Sequence, residues 1–216
     1  LEIFKLRPTS NSDKFTELVT FMSHVVSNYK EFCPSVVSQL LNLLETKAIT
    51  LHPEVRYKLL QALIILRKRD SVDPLVLLTL GFKLFAVPDK EFRQLLKNYV
   101  FADIKTINMK KHNDKVNKNI QAMLFNIVEA EESTMSAKKT VEILSELYTK
   151  RIWTDERTVN VMGKACTSRC TSVSIAAMNF FLGIDSKMME LEDEEERKLD
   201  LAEVDEHQHS KKTKKR

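Results

Sequence analysis

Glycine and proline are scarce in this chain, with three and five in 216 residues. A sheet protein of this length turns many times, and tight turns draw on those two residues. Their scarcity argues against a β fold. Cysteine is also sparse and odd in number: Cys33, Cys166 and Cys170. Such a set reads as reduced thiols of the cytosol or nucleus, not as a secreted disulfide framework. No apolar run approaches the ~20 residues that span a bilayer. The longest runs, such as Ala62 to Leu66, are core-sized. No basic segment leads into an apolar stretch with a small-residue cleavage site. The first residue is Leu1, and the chain reads as a piece of a longer one.

Catalytic patterns are missing as well. The sequence has no Gly-rich phosphate loop, no Gly-x-Ser-x-Gly elbow and no His-Glu-x-x-His pair, and its five histidines are scattered. Neither an enzyme nor a cofactor, a resident metal, a small-molecule substrate or a membrane partner is expected. Cys166 and Cys170 stand four apart, a spacing that one helix would bring to one face. Two thiolates hold zinc only with further ligands, so a buried Cys166 with Cys170 near a helix end is the simpler reading.

What the chain does have is Leu, Lys, Glu and Ala in helical periodicity. Nine amphipathic segments follow one another. The first places Phe15, Leu18, Val19, Met22, Val25 and Val26 on one stripe. Pro34, Pro53 and the Asp73-Pro74 pair open the next three, since a first-turn proline lacks only an N–H that would be unpaired there. Pro88-Asp89 punctuates before a helix bearing Phe92, Leu96, Val100 and Ile104. A polar stretch from Asn108 to Asp114 interrupts before Val116, Ile120, Leu124 and Val128 resume the pattern. Ser133-Thr134, Thr154 or Asp155, and Thr171 start the last three, and Gly183 ends the series as a left-handed terminator. In the last segment Val173, Ile175, Ala176, Met178, Phe180 and Leu182 are the apolar positions.

Short-linked helices in series are what stacked helical hairpins produce. Pro34 and Pro74 start segments one repeat apart, in the ~40–47 residue range of HEAT and armadillo units. The expected fold is therefore all-α: a HEAT/armadillo-like α-solenoid of antiparallel helix pairs over residues 1–184. From residue 185 the periodicity dissolves. Glu190 to Glu196 is almost wholly acidic, and Lys211 to Arg216 almost wholly basic. Residues 185–216 lack the apolar area to offset ordering entropy and are expected to form a disordered tail.

Particular strings point further. Leu1-Glu2-Ile3-Phe4-Lys5-Leu6-Arg7-Pro8 and Leu51-His52-Pro53-Glu54-Val55-Arg56 resemble the severe-depolymerisation-of-actin (SDA) family. So do Asp103-Ile104-Lys105-Thr106-Ile107-Asn108, Lys111-His112-Asn113, Ile152-Trp153-Thr154-Asp155 and Phe180-Phe181-Leu182-Gly183. They occur in order along nearly all of residues 1–184. The resemblance implies a non-catalytic nuclear and nucleolar scaffold for maturation and export of the large ribosomal subunit precursor. It also implies a link to actin organisation, and a nucleocytoplasmic transport adaptor is the alternative reading. The expected partners are precursor rRNA and assembly factors.

The net charge of +4 hides a basic body and an acidic-then-basic tail, which fits a polyanionic neighbourhood. Lys105, Lys110, Lys111, His112, Lys115 and Lys118 cluster around a polar loop with Asn108, Asn113, Asn117 and Asn119. Lysines neutralise phosphates and asparagines hydrogen-bond bases or sugars. The cluster is either an rRNA- or partner-binding edge or a solvated connection. Trp153 is either a staple before its helix or an anchor for a partner. Lys211, Lys212, Lys214, Lys215 and Arg216 have the composition of a nuclear localisation signal, read by transport receptors. Arg67-Lys68-Arg69 reads as a cationic helix end.

Overall fold

A computed structural model describes residues 13–110, 114–130 and 134–184. The tail from 185 to 216, its basic hexamer and the opening string lie outside the described residues. Nine α-helices occur among the described residues: α1 (Asp13–Val25), α2 (Cys33–Lys47), α3 (Pro53–Lys68), α4 (Pro74–Leu84), α5 (Lys90–Lys110), α6 (Asp114–Ala130), α7 (Thr134–Thr149), α8 (Glu156–Cys166) and α9 (Thr171–Phe181). None of them is long and apolar enough to cross a membrane.

Helix starts follow local chemistry. Pro53 and Pro74 occupy the first turn of α3 and α4. The Asp73 carboxylate caps α4, accepting from the N–H groups of Leu75 (2.8 Å) and Val76 (3.3 Å). Asp89 caps α5 by accepting from the Phe92 N–H at 3.0 Å.

Three helices end in left-handed residues. Gly183, at φ 67°, follows α9 as its sequence suggests. Asp70 (φ 56°) and Arg151 (φ 55°) do the same after α3 and α7. Ser71 N–H donates to the Leu66 carbonyl and Asp70 N–H to that of Arg67. Ile152 and Arg151 repeat this on Leu147 and Tyr148. Both are Schellman terminations built without glycine.

The fold divides into two compact units, Leu1–Ile143 and Leu144–Arg216, and the division falls inside α7. In the first unit helices pack on neighbours and on the next but one. α2 lies against α3, α3 against α4 and α4 against α5; α1 also packs on α3, α2 on α4, α3 on α5 and α4 on α6. That pattern is the signature of stacked helix pairs. The pairs α2–α3 and α4–α5 begin at Cys33 and Pro74, a spacing of ~40 residues that suits HEAT and armadillo units. The core holds Leu44, Leu59, Leu63, Leu66, Leu78, Phe82, Phe85, Phe92 and Leu96, all fully buried. Each such side chain contributes roughly 1.5–3 kcal/mol relative to exposure.

In the second unit α8 packs on α9. Tyr148 meets Phe180 edge-on, their centroids 5.0 Å apart. Here the apolar pattern misleads. Val173 and Ala177 are buried, but Ile175 is 52% exposed and Leu182 69%. Periodicity marks a stripe wider than the face that α9 buries. Leu18 of α1 is likewise half exposed.

Candidate functional site

The polar stretch between α5 and α6 gathers most of the candidate residues. Lys105 lies on α5, and Lys115 and Lys118 lie on the first turns of α6; all three are exposed. Lys110 ends α5. Lys111 and His112 lie outside the described residues. Helix propensity carries α5 through the whole of Lys90–Lys110, so the polar interruption is shorter than the sequence pattern suggests.

Two asparagines of this stretch have structural work. Asn117, buried on α6, donates through Nδ2 to Asn108 Oδ1 at 2.7 Å, and Asn108 Nδ2 donates to the Ile104 carbonyl at 2.8 Å. This bridge clips the end of α5 to the start of α6. It leaves Lys105, Lys115, Lys118 and Asn119, all exposed, as the outward groups. The arrangement can present positive charge to a phosphate backbone or to an acidic protein surface.

One helical turn before Lys105, a buried polar cluster fixes α5 to α3. Arg67 Nε donates to Asp103 Oδ2 at 3.2 Å, and Arg67 Nη1 to Asp70 Oδ1 at 3.1 Å. The Tyr99 hydroxyl donates to Asp103 Oδ2 at 3.3 Å. Burial pushes the Asp103 carboxyl above its ordinary range despite the opposing pull of Arg67 and Tyr99. Burial, and then the Asp103 carboxylate, push the Tyr99 hydroxyl far upward, so it stays a donor. Arg67 is thus an inter-helix ion pair, where the sequence suggested only a charged helix end. Arg69 reaches elsewhere, donating to the His24 carbonyl and to Ser27 Oγ.

At the other end of the same seam, Arg56 bridges three groups. Nη1 donates to the Ala48 carbonyl at 2.7 Å, Nη2 donates to Asp89 Oδ2 at 2.7 Å, and the guanidinium lies 5.5 Å from the Phe92 ring centroid. Arg56 meets the start of α5 and Arg67 meets its later half, so α3 and α5 run parallel, as alternate helices of stacked antiparallel pairs must. No local signal in the sequence announces either pair; their partners stand 33 and 36 residues away.

Trp153 is 4% exposed in the second unit. Its backbone N–H donates to the Leu147 carbonyl at 3.3 Å, while the indole Nε1 has no acceptor among the described residues. The ring is buried in the turn that leads into α8. Cys166 ends α8 and Cys170 caps α9, so they do not share one helical face. Cys33 is buried and the other two thiols are half-buried, all three unbridged. Among the described residues no group of three or more His, Cys, Asp or Glu is placed to hold a metal ion.

Comparison with known proteins adds a family. Residues 21–216 match the family described as SDA1, HEAT repeat. The chain is 37% identical over 196 residues to the protein SDA1 homolog of Dictyostelium discoideum, covering 91% of this chain and 26% of that protein. It is 36% identical over 187 residues to the homolog of Xenopus tropicalis, covering 87% and 27%. It is 35% identical over 223 residues to protein SDA1 of Chaetomium thermophilum, covering 100% and 29%. The chain therefore spans about a quarter of the length of the curated relatives it matches.

Proposed function

The chain belongs to the SDA1 family, and from that premise we propose that it is a non-catalytic scaffold docking on precursor particles of the large ribosomal subunit. In this reading the helical array offers shape and the lysine edge supplies contacts to rRNA or to an acidic assembly factor. Its place of work is the nucleus and nucleolus, and the particle leaves the nucleus with its help. The basic hexamer Lys211 to Arg216 serves import.

The observation that carries this reading is the outward lysine edge. Lys105, Lys115 and Lys118 are exposed beside a helix junction that the Asn108–Asn117 bridge holds in place. Backbone phosphates reward such a fixed array through counterion release. Further support comes from the family-like strings Asp103 to Asn108 and Lys111 to Asn113, which fall on this same junction. The absence of a catalytic motif in the sequence fits a scaffold.

Reversing charge with Lys110→Glu plus Lys111→Glu should weaken co-sedimentation with precursor particles. Co-sedimentation unchanged at physiological salt rejects the edge as the docking surface. A reporter fused to residues 184–216 should enter the nucleus, and a cytoplasmic reporter removes the import role.

A further inference from the structure

A second surface of the first unit has chemistry opposite to the lysine edge. Along the α3–α5 seam two adjoining cavities, ≈ 390 and ≈ 610 Å³, share Leu95 and Asn98 in their walls. Together they form one groove from His52 to Ile107. On α5 the lining recurs each turn from Glu91 to Thr106, a length of ~22 Å at 1.5 Å per residue. That accommodates ~6–7 residues of extended chain.

The groove is locally acidic on a chain whose net charge is +4. Five carboxylates line it (Glu54, Asp70, Asp89, Glu91 and Asp103) against Arg67 and Lys68. Arg67 is already engaged with Asp70 and Asp103, and Asp89 with Arg56 behind the wall, so the acidic excess falls on Glu54 and Glu91. Glu54 and Glu91 are exposed at one end. Such a lining repels phosphate and attracts ammonium and guanidinium groups.

The middle of the groove carries groups suited to a peptide backbone. Gln94 and Asn98 are exposed and lie one turn apart on α5; Gln94 Nε2 donates to Asn98 Oδ1 at 3.1 Å. That bond leaves Gln94 Oε1 and Asn98 Nδ2 to accept from and donate to another chain. Four residues of helix rise ~6 Å, close to the ~6.6 Å between alternate residues of an extended strand. Tyr57, Ile64 and Leu95, all half-buried, give the floor an apolar surface.

We propose that the α3–α5 groove binds an extended, lysine- and arginine-rich segment of a partner protein. Asn98 and Gln94 hold its backbone while Glu54 and Glu91 receive its cations. The Glu54–Glu91 end of the groove lies ~21 Å along α5 from Lys105, and this proposal does not rest on docking to precursor particles.

The test is fluorescence anisotropy on the full 216-residue chain. The probe is a labelled heptapeptide of alternating lysine and alanine. A glutamate–alanine heptapeptide and a short uridine oligomer serve as competitors. The lysine peptide should bind and neither competitor should displace it. Glu54→Lys with Glu91→Lys should weaken binding about tenfold, since two exposed attractions become repulsions. Asn98→Ala should weaken it ~3–10-fold through a lost backbone bond, which keeps the proposal testable if the charge reversal disturbs folding. Glu17→Lys with Glu31→Lys, the same charge change off the groove, should leave binding unaltered. Equal weakening by both charge reversals, no weakening by any groove variant, displacement by the uridine oligomer, or no binding at all would each overturn it. Lys110→Glu plus Lys111→Glu should leave this titration unchanged, so failure of the docking role and failure of the groove are read separately.

Discussion

The guanidinium of Arg56 meets the carboxylate of Asp89 at 2.7 Å, joining the first turn of α3 to the cap of α5. The same guanidinium also closes the α2–α3 connection through the Ala48 carbonyl. One planar fork therefore ties α3 both to the end of α2 and to the start of α5. Removing one partner of a buried pair leaves the other charge without compensation, and Asp89, Ala48 and Phe92 would all lose a contact. Arg56→Ala should destabilise the first unit by ~3 kcal/mol. Arg56→Lys keeps the charge but cannot reach two acceptors in one plane, so it should recover only part of that loss. Urea midpoints at constant m-value measure both. A lysine variant as stable as wild type would show that charge alone, not the fork, holds the seam.

Asp89 and Asp103, towards the two ends of this seam, respond to pH with opposite sign. Burial pushes Asp89 upward, but the Phe92 N–H and the Arg56 guanidinium outweigh it and hold its carboxyl below the ordinary range. Its stabilising contribution is complete above the unfolded value of about 4 and is lost as pH falls through the lower folded value. Asp103 is raised chiefly by burial. Its contribution is complete below about pH 4 and is lost as pH rises through the higher folded value. Asp89→Asn should flatten the acid-side loss of stability, and Asp103→Asn should flatten a decline above about pH 4. Denaturant midpoints from pH 3 to 6 check the pair. Parallel pH profiles for the two variants would contradict the assignment.

Much of the fold is legible along the sequence, because helix starts are local events. Pro53, Asp73-Pro74 and Asp89 each announce a helix within one turn of themselves, and the apolar period supplies its inward face. Long-range pairing carries no such signal. Arg67 has a neighbouring carboxylate at Asp70, but its buried partner Asp103 lies on another helix pair. Two terminations were also illegible, since Asp70 and Arg151 take the left-handed conformation that glycine takes at Gly183. The lysine edge is visible as composition. That Asn117 is spent on Asn108 follows only from packing.

Those non-glycine terminations offer a contrast. A left-handed residue with a Cβ carries roughly 1–2 kcal/mol of strain, partly offset by glycine's greater unfolded freedom. Arg151→Gly should therefore stabilise by ~0.5–1 kcal/mol. Asp70→Gly relieves the same strain but removes a carboxylate 3.1 Å from Arg67 Nη1, so its gain should be smaller. Thermal melts of the two variants decide it, and a larger gain at Asp70 would refute the role given to its ion pair.

Gly163 presents the reverse situation. It sits within α8, and a Cβ built there meets nothing within 4 Å. Glycine inside a helix is less favourable than alanine by roughly 0.5–1 kcal/mol. Gly163→Ala should stabilise the second unit by about that amount, seen as a higher melting temperature. A lower one would mean that this face of α8 is occupied.

Trp153 is the only tryptophan of the chain, so its emission reports on the second unit alone. Buried at 4% exposure, it should emit at short wavelength and shift to the red when that unit unfolds. Trp153→Ala should cost ~3–5 kcal/mol as a large buried ring is lost. Trp153→Phe should cost far less, because the indole Nε1 that it removes has no acceptor and a buried unsatisfied donor already carries ~1–3 kcal/mol. If emission in the folded chain were already red-shifted, or if alanine were tolerated as well as phenylalanine, the ring would be at the surface, where a partner could grip it.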